Sequence, residues 1–453
     1  MSRFLQTFRA FLQAFLSAYH AFLHAFRSLR IRNYRLYWFG QLVSLTGSWM
    51  QDTVLGWLVL TLSGKPVALG LTMAIRFAPA LLFSLHGGVF ADRLRKRQTM
   101  IYCEAGQLVV ALALAALTTT GHITVAVIFV LAAVRGVVEA VEGPIRQVFI
   151  PEMVGDEDLL NAIALGSTQF NAARIVGPAI GAAVLAAFTH AGHTSATGYA
   201  TVFYINAASF LAVIIGLLAM RASELHLVPR RTHERVWDQL KEGLRYAASQ
   251  PDVVLVLIVM GALGAFGYNF MTLNPLLTKF VLHAGTGTLG LLTTSMGVGA
   301  LLGGFLVAYR SRPTQRLLMV AAAEFTLMLD ITSVSRWTWV TIVLMFVMGW
   351  TGTLFMTTAN TRLQLSVPGH MRGRVMGIYA LLFVGTTPIG AYVMGQLADA
   401  IGVSLMVLTM AGLCAAGLVW GALYIRATAG RTDPATAVPS GRRPGEDDEH
   451  AGV

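Results

Sequence analysis

Residues 87–98 read GGVFADRLRKRQ and put one acidic and four basic residues between two long apolar runs. Each run is long enough to cross the hydrocarbon core of a bilayer, which takes about 20 mainly apolar residues. The chain of 453 residues is 55% hydrophobic and only 12% charged, whereas a soluble domain carries roughly a quarter charged residues. Twelve such runs occur, at 36–61, 67–90, 99–120, 123–143, 160–188, 199–220, 252–278, 287–309, 316–335, 338–360, 374–398 and 402–425. The sequence therefore predicts an all-α integral membrane protein with twelve transmembrane helices.

The basic residues are distributed unevenly between the two sides of these spans. With the N-terminus placed inside, 27 of the 33 Lys and Arg fall on the side of the termini, and only Lys65, Lys279 and Arg336 fall on the other side. Basic residues collect on the cytoplasmic side of membrane proteins. We therefore expect both termini in the cytoplasm, and the net charge of +11 indicates orientation rather than nucleic-acid binding. Both cysteines lie within apolar runs, so a disulfide framework or a thiolate metal site is not expected.

The chain repeats itself after six spans. RQVFIP at 146–151 has a counterpart in RLQLSVP at 362–368, and GPAIGA at 177–182 has one in TPIGA at 387–391. Parallel repeats of this kind are typical of transporters that rock around a site near the membrane midplane. The predicted division is a cytoplasmic amphipathic and basic segment, a six-helix bundle, a cytoplasmic linker, a second six-helix bundle and a disordered cytoplasmic tail, at 1–35, 36–220, 221–251, 252–425 and 426–453.

Two amphipathic helices are predicted outside the spans. In the linker, Trp237, Leu240, Leu244 and Ala247 recur at helical spacing, which indicates a short helix on the cytoplasmic face. In the first 26 residues an aromatic residue recurs every three or four positions from Phe4 to Phe26. This stripe favours a helix lying in the head-group region, with a targeting peptide or a self-association segment as alternatives.

The loop at 87–98 resembles the signature loop between helices two and three of the major facilitator superfamily. The matching residues are Gly88, Ala91, Asp92, Arg93, Lys96 and Arg97, and the departure is Arg95, where the family usually has glycine. GSWMQDTVLGWLVLTLSG, NAARIVGPAIG, FYINAASF, NPLL and VPGHMRGRVMGIY extend the resemblance over all twelve spans. They resemble the exporter branch of transmembrane secretion effectors, which includes the enterobactin exporter and macrolide and multidrug efflux pumps. The resemblance implies two six-helix halves in the major facilitator fold.

Gly88, Asp92, Arg93 and Arg97 form the predicted conformational switch. Asp92 lies at the cytoplasmic end of the second span, where it can accept hydrogen bonds from helix N-termini or a guanidinium. Such a bond forms when the cytoplasmic ends of the halves meet, so its strength biases one open state against the other. An acid contributes little to orientation, which favours this role for Asp92, whereas Arg95 and Lys96 fit orientation alone.

Charged residues inside the spans are costly and mark functional sites by default. Asp52 and Arg76 lie at similar depth and are expected to pair, and Arg135 and Glu139 stand one turn apart on the fourth span. For Arg174 we expect Glu139 or Asp52 as partner. The resemblance implies that spans one, four, seven and ten line the central cavity. The proton-coupling candidates, in order, are Glu139, Asp52 and Glu324.

The remaining site residues follow from depth and polarity. Substrate-cavity candidates are Arg76, Arg135, Arg174, Asn269, Asn274 and Trp350, with plain packing as the alternative role for Trp350. Gly177, Pro178 and Gly181 resemble a degenerate antiporter motif of helix five, in which small residues let another helix approach closely.

These features together predict a secondary active transporter of the bacterial inner membrane that exports an amphiphilic small molecule, such as a drug or siderophore, by proton antiport. We expect no metal or cofactor, a monomer, and no nucleic-acid partner; its partners are the solute, protons and the bilayer. A lipid or lysolipid flippase and a non-transporting sensor are the alternatives. No GxxxxGK[ST] loop occurs, which argues against an ATP-driven pump, and the scattered histidines argue against a membrane-embedded enzyme.

Overall fold

A computed structural model describes residues 26–83, 94–190, 193–226, 236–309 and 313–428. The first half contains α1 (Arg32–Ser63), α2 (Pro66–Phe83), α3 (Lys96–Thr119), the continuous stretch Val125–Ala187, and α6 (Ala196–Leu218). Val125–Ala187 bends at Gly155, and we call residues 125–154 α4 and residues 156–187 α5. The linker holds α7 (Val236–Ser249). The second half contains α8 (Pro251–Phe266), α9 (Phe270–Leu276), a π-helical turn at Leu277–Val281, α10 (Thr286–Tyr309), α11 (Gln315–Val334), α12 (Thr338–Ser366), α13 (Gly369–Ile401) and α14 (Val403–Thr428).

These helices make twelve passes, as the sequence predicts, and most extend a few residues beyond the predicted apolar runs. Eight described helices are long and apolar enough by composition alone to cross a membrane. Those that fall short include α1, α2 and the stretch Val125–Ala187, which carry the charged residues predicted within the first half.

The bend between α4 and α5 is a backbone feature of one glycine. Gly155 has φ 70° and ψ 178°, a conformation that only glycine adopts without strain. Three residues before Gly155, the backbone carbonyl of Glu152 accepts from the backbone N–H of His226. This hydrogen bond links the bend to the segment that follows α6. At the opposite end of the bundle two short strands, Thr189–His190 and His193–Thr194, pair antiparallel between α5 and α6.

The seventh pass is interrupted near its middle. α8 ends at Phe266, α9 begins at Phe270, and Asn269 between them has a non-helical backbone. Pro275 within α9 cannot donate a backbone hydrogen bond, and the pass continues as a π-helical turn. Interrupted helices of this kind, in transporters, occur where the backbone lines a binding site.

The two halves share few hydrogen bonds among the described residues, and the shortest lies at one end of the bundle. We call the end that holds the α1–α2 connection, residues 64–65, the far end, and the end at which α1 begins the near end. At the far end the Lys279 ammonium donates to the Leu60 carbonyl over 2.5 Å. A Cβ on Gly70 of α2 would lie 2.5 Å from the Ala391 carbonyl oxygen of α13. The only other hydrogen bond between described residues of the two halves joins Thr294 to Ile175 over 3.5 Å.

At the near end the linker helix α7 packs on the second half. Glu242 pairs with Arg374 of α13 over 2.7 Å, and a Cβ on Gly243 would lie 3.1 Å from the Arg374 side chain. Ala247 is buried, as its place on the predicted apolar face requires, whereas Leu244 is 49% exposed. Of the predicted N-terminal aromatic helix, residues 1–25 lie outside the described residues. Of the predicted disordered tail at 426–453, residues 426–428 continue α14 as helix and 429–453 lie outside the described residues.

Candidate functional site

Four charged side chains from three helices meet inside the first half. Arg76 of α2 lies 2.8 Å from Oδ1 of Asp52 on α1, through its Nη1. It also donates twice to Glu139 of α4, from Nη2 to Oε1 over 2.9 Å and from Nε to Oε2 over 3.1 Å. Arg135 of α4 completes the ring, with Nη1 2.5 Å from Asp52 Oδ1 and Nε 2.9 Å from Glu139 Oε1. We call these four residues the charge cluster.

The charge cluster is electrically balanced and nearly dry. Asp52, Arg76 and Arg135 are 6%, 7% and 3% exposed, and only the Glu139 side chain reaches 26% exposure. Two guanidinium groups face two carboxylates, so each buried charge has opposite neighbours, which is the condition for burying ions at tolerable cost. The expected pairs Asp52–Arg76 and Arg135–Glu139 are both present, and the structure joins them into one network.

A backbone contact between α2 and α4 explains why these residues come together. A Cβ on Gly136 would lie 2.1 Å from the Arg76 carbonyl oxygen, so the two helices touch where Gly136 replaces a side chain with hydrogen. This contact sets Arg76 beside the turn of α4 that carries Arg135 and Glu139. Small residues commonly allow such approaches between membrane helices.

Arg174 on α5 does not join the charge cluster. Our expectation that it pairs with Glu139 or Asp52 is wrong, because Arg76 and Arg135 occupy both carboxylates. In the described part of the chain no carboxylate pairs with Arg174, and its buried Nε has no hydrogen-bond partner. Ile175, the next residue along α5, packs on Gly297 of α10 in the other half.

A second buried polar group lies nearer the near end, and the sequence reasoning missed its central member. Glu104 of α3 is 1% exposed and accepts from Gln41 Nε2 over 2.6 Å, with no ion pair among the described residues. Glu142 and Arg146 of α4 pair with each other nearby. The sequence does show this carboxylate, because Glu104 lies five residues beyond the start of the third predicted span, 99–120.

Three predicted cavity residues lie on the seventh and tenth passes, and one of them keeps an unpaired polar atom among the described residues. Asn269 donates to the Ala265 carbonyl over 2.7 Å and so bridges the end of α8. Asn274 donates weakly to Thr293 over 3.4 Å, while its buried Oδ1 has no partner in the described structure. Trp350 packs edge-on against Phe346, with ring centroids 6.3 Å apart, and its backbone lies against Gly303.

Gly177 and Gly181 of α5 form a close contact with α1. A Cβ on Gly177 would lie 2.6 Å from the Thr46 carbonyl oxygen, and one on Gly181 would lie 3.1 Å from Met50. Pro178, between them, faces α10 of the other half, where its carbonyl oxygen is 3.5 Å from a Cβ built on Gly290. α5 therefore contacts both halves of the molecule along adjacent faces.

The remaining predicted residues lie apart from the charge cluster. Glu324 is on the exposed face of α11, in line with the exposed apolar residues Val320 and Leu327, while α11 packs against α12 and α14. Of the switch residues, Gly88, Asp92 and Arg93 lie outside the described residues. Arg97 donates to the Leu217 and Leu218 carbonyls over 2.7 and 2.9 Å and caps the C-terminus of α6.

No group of three or more metal-ligating side chains occurs among the described residues. The site therefore consists of charged and aromatic side chains on helices that face one another within and between the two halves.

Residues 23–447 match the transmembrane secretion effector family. The chain belongs to this family.

Three curated relatives illustrate what members of the transmembrane secretion effector family carry. The chain is 26% identical to the staphyloferrin A transporter of Staphylococcus aureus, over 79% of this chain and 87% of the relative. It is 26% identical to the multidrug efflux pump Tap of Mycolicibacterium fortuitum, with 80% and 88% covered. It is 22% identical to the macrolide efflux protein A of Streptococcus pyogenes, with 81% and 89% covered.

Solved structures agree on the fold. A bacterial homologue of the human lysosomal transporter Spinster, inward-facing and unoccupied, superposes with a TM-score of 0.69 at 12% identity and covers 89% of this chain and 99% of its own. A bacterial homologue of the iron transporter ferroportin gives a TM-score of 0.69 at 15% identity, with 87% and 98% covered. The protein is thus a multi-pass membrane protein with the major facilitator fold.

Proposed function

We propose that this protein is a secondary active transporter of the bacterial inner membrane that exports an amphiphilic small molecule in exchange for protons. The observation that carries the proposal is the charge cluster, a balanced set of buried ions whose one partly exposed member is a carboxylate. The multidrug and macrolide efflux relatives support export as the direction. Both termini in the cytoplasm, as the distribution of basic residues predicts, would make the far end the external end.

The effect of protonation on the charge cluster supports proton coupling. Glu139 receives three donor contacts from Arg76 and Arg135. A proton on Glu139 cancels its attraction for both guanidinium groups and leaves the cluster with a net positive charge. Because the cluster spans α1, α2 and α4, its rearrangement biases the relative positions of those helices. A ligand that interacts differently with two states shifts their populations, and the proton acts here as that ligand.

The contacts between the halves support alternating access as the mode of transport. The hydrogen bond from Lys279 and the backbone contact at Gly70 hold the far end closed. Few polar contacts join the halves elsewhere among the described residues, so the bundles can rotate about a central site when the far-end contacts separate. The expected switch residue Asp92, with Gly88, Arg93 and Arg97, would supply the corresponding contacts at the near end.

The test is solute uptake into everted membrane vesicles that are energised by respiration, across a panel of siderophores, dyes, macrolides and lysolipids. We expect one class of compound to accumulate and an uncoupler to abolish the accumulation. Glu139→Gln should lose uphill transport yet still exchange solute down a gradient, because the site remains while proton release is lost. Glu324→Gln is the matched control, since Glu324 lies on the exposed face of α11, and should keep uphill transport.

Unchanged uphill transport in Glu139→Gln would remove Glu139 from the proton role and leave Asp52 as the next candidate. Uptake of lysolipids alone would move the function to lipid translocation. Silence across the panel, with the protein verified in the vesicles, would favour a sensor and contradict the proposal.

A further inference from the structure

Arg174 is a cation within a membrane span that has no carboxylate partner among the described residues. Arg76 and Arg135 share the charge cluster, and Arg146 pairs with Glu142. Arg174 has neither an ion pair nor a hydrogen bond from its buried Nε in the described structure. It lies 13 residues before the end of α5 at Ala187, about 20 Å along the helix. An uncompensated charge at that depth is costly and needs a partner that the described side chains do not supply.

The side chain of Arg174 leaves α5 toward the seam between the two halves. One and two turns further along α5, Gly177 and Gly181 contact α1 of the first half. Pro178 and Ala182 lie against Gly290 on α10 of the second half. With about 3.6 residues per turn, position 174 falls between these two sets of contacts. Arg174 therefore points to the boundary along which a central site would open and close.

An aromatic wall lies at the interruption of the seventh pass, in the second half. Tyr268, at the interruption of the seventh pass, stacks on Phe325 with ring centroids 5.0 Å apart and meets Phe383 edge-on at 6.0 Å. Its hydroxyl donates to the Gly352 carbonyl over 2.6 Å, which holds the ring in place. Ile175, the residue after Arg174, packs on Gly297 of α10, and the adjacent Met296 carbonyl touches Gly349 of α12. Gly349 is about one turn from Gly352, which accepts from Tyr268, so these contacts set Arg174 and the aromatic wall at a similar depth.

The electrostatics of the site favour one class of solute. The four members of the charge cluster cancel one another. Lys279, the other cation at the seam without a carboxylate partner among the described residues, lies at the far end and donates to the Leu60 carbonyl, so the uncompensated charge deeper along the seam is the positive charge of Arg174. A guanidinium offers a planar fork of donors that matches carboxylate and other anionic oxygens. We propose that Arg174 binds an anionic oxygen group of the transported molecule, so that the substrate is an organic anion whose apolar or aromatic body rests on the wall around Tyr268.

This inference rests on the proposed function for the meaning of the site, but its test needs no transport. The purified full-length protein in nanodiscs is titrated with a matched pair of fluorescent probes, pyrenebutyrate and pyrenebutylammonium, which share one apolar body and differ in charge. We expect the anion to bind at least tenfold more tightly than the cation. Charge-assisted hydrogen bonds contribute enough to make the preference about 10- to 100-fold.

Three variants separate binding from folding. Arg174→Gln should remove the preference for the anion, and Arg174→Lys should keep part of it, because the charge stays while the fork is lost. Arg316→Gln removes the same charge from an exposed position at the start of α11 and should change neither affinity. If Arg174→Gln fails to fold, the probe pair on the unmodified protein and on Arg174→Lys still decides the outcome.

Lysophosphatidate serves as a third probe, because a lipid head group can supply the same anionic oxygens. Tight lysophosphatidate binding that falls in Arg174→Gln supports the anion site with a lipid as its source. Equal affinity for the two pyrene probes, or anion binding that survives in Arg174→Gln, overturns the inference. The protein could instead transport a cationic compound with proton coupling, at the same rate in Arg174→Gln as in the unmodified protein. That result would overturn the anion site and leave the proposed function standing. Charge-selective binding without any proton exchange would retain the anion site and reject the proposed function.

Discussion

Gly70→Ala should open the far end of the transporter. Gly70 of α2 faces α13 across the seam, where an added Cβ would lie 2.5 Å from the Ala391 carbonyl oxygen and 2.7 Å from the Gly395 Cα. Both are backbone atoms, so no side chain can rotate away. The methyl group fits only if the halves separate at this end, and the substitution therefore penalises the closed conformation alone.

The size of the effect follows from the cost of overpacking. Forcing one extra methyl group into a tightly packed contact costs about 1–3 kcal/mol. Because the open conformation does not pay this cost, the ratio of open to closed molecules should rise about 5- to 150-fold. The contact is a backbone one, which favours the upper part of that range.

The assay is the distance between spin labels at two far-end positions, Thr120→Cys after α3 and Gly285→Cys before α10, measured in nanodiscs. The native Cys103 and Cys414 are buried, which limits background labelling. Gly70→Ala should increase the population at the longer distance. Gly261→Ala, which meets nothing within 4 Å, should leave the distribution unchanged.

A further control uses a tight glycine inside one half. A Cβ on Gly299 would lie 1.9 Å from the Phe346 carbonyl oxygen, both in the second half. Gly299→Ala should lower stability without lengthening the far-end distance. Coincident distance distributions for Gly70→Ala and the unmodified protein would refute the reasoning that this contact belongs to one conformation.

Three further predictions concern the charges and the orientation. Asp52→Asn leaves two guanidinium groups with one carboxylate and should cost about 3–5 kcal/mol of stability, measured as a lower melting temperature in detergent. Adding Arg135→Gln to Asp52→Asn restores charge balance and should recover part of the lost stability. If the double variant recovers none of it, the four residues are not coupled in one cluster. Asp92→Asn should cripple export while membrane abundance stays normal, and full activity would reject the switch. In intact cells a membrane-impermeant maleimide should label Thr120→Cys but not Ser249→Cys, and the reverse pattern would invert the proposed topology.

The spans and the relative depth of Asp52 and Arg76 could be predicted from the sequence, because apolar length and basic flanks act along the chain. Depth was enough to pair Asp52 with Arg76, since both lie at one level on adjacent helices. It was not enough for Arg174 or Glu324, because depth does not reveal which face of a helix meets its neighbours. α5 turns Arg174 toward the seam, and α11 turns Glu324 outward.

Other features depend on contacts between distant helices. The bond between Gln41 and Glu104 joins α1 to α3, and neither residue shows its partner in its local sequence. The interruption of the seventh pass at Asn269 had a weak signal in the nearby Gly267 and Pro275. The contact of Gly136 with the Arg76 backbone assembles the charge cluster. Apart from the glycine itself, nothing in the sequence indicates this contact.

The most direct test of the central claim is the movement of protons when solute is added. Everted vesicles with an acid interior, loaded with a pH-sensitive dye, are given the compound that the uptake panel selects. The account predicts alkalinisation of the interior on addition of that compound, and loss of the signal in Glu139→Gln but not in Glu324→Gln. Solute uptake that proceeds with no proton movement would contradict it.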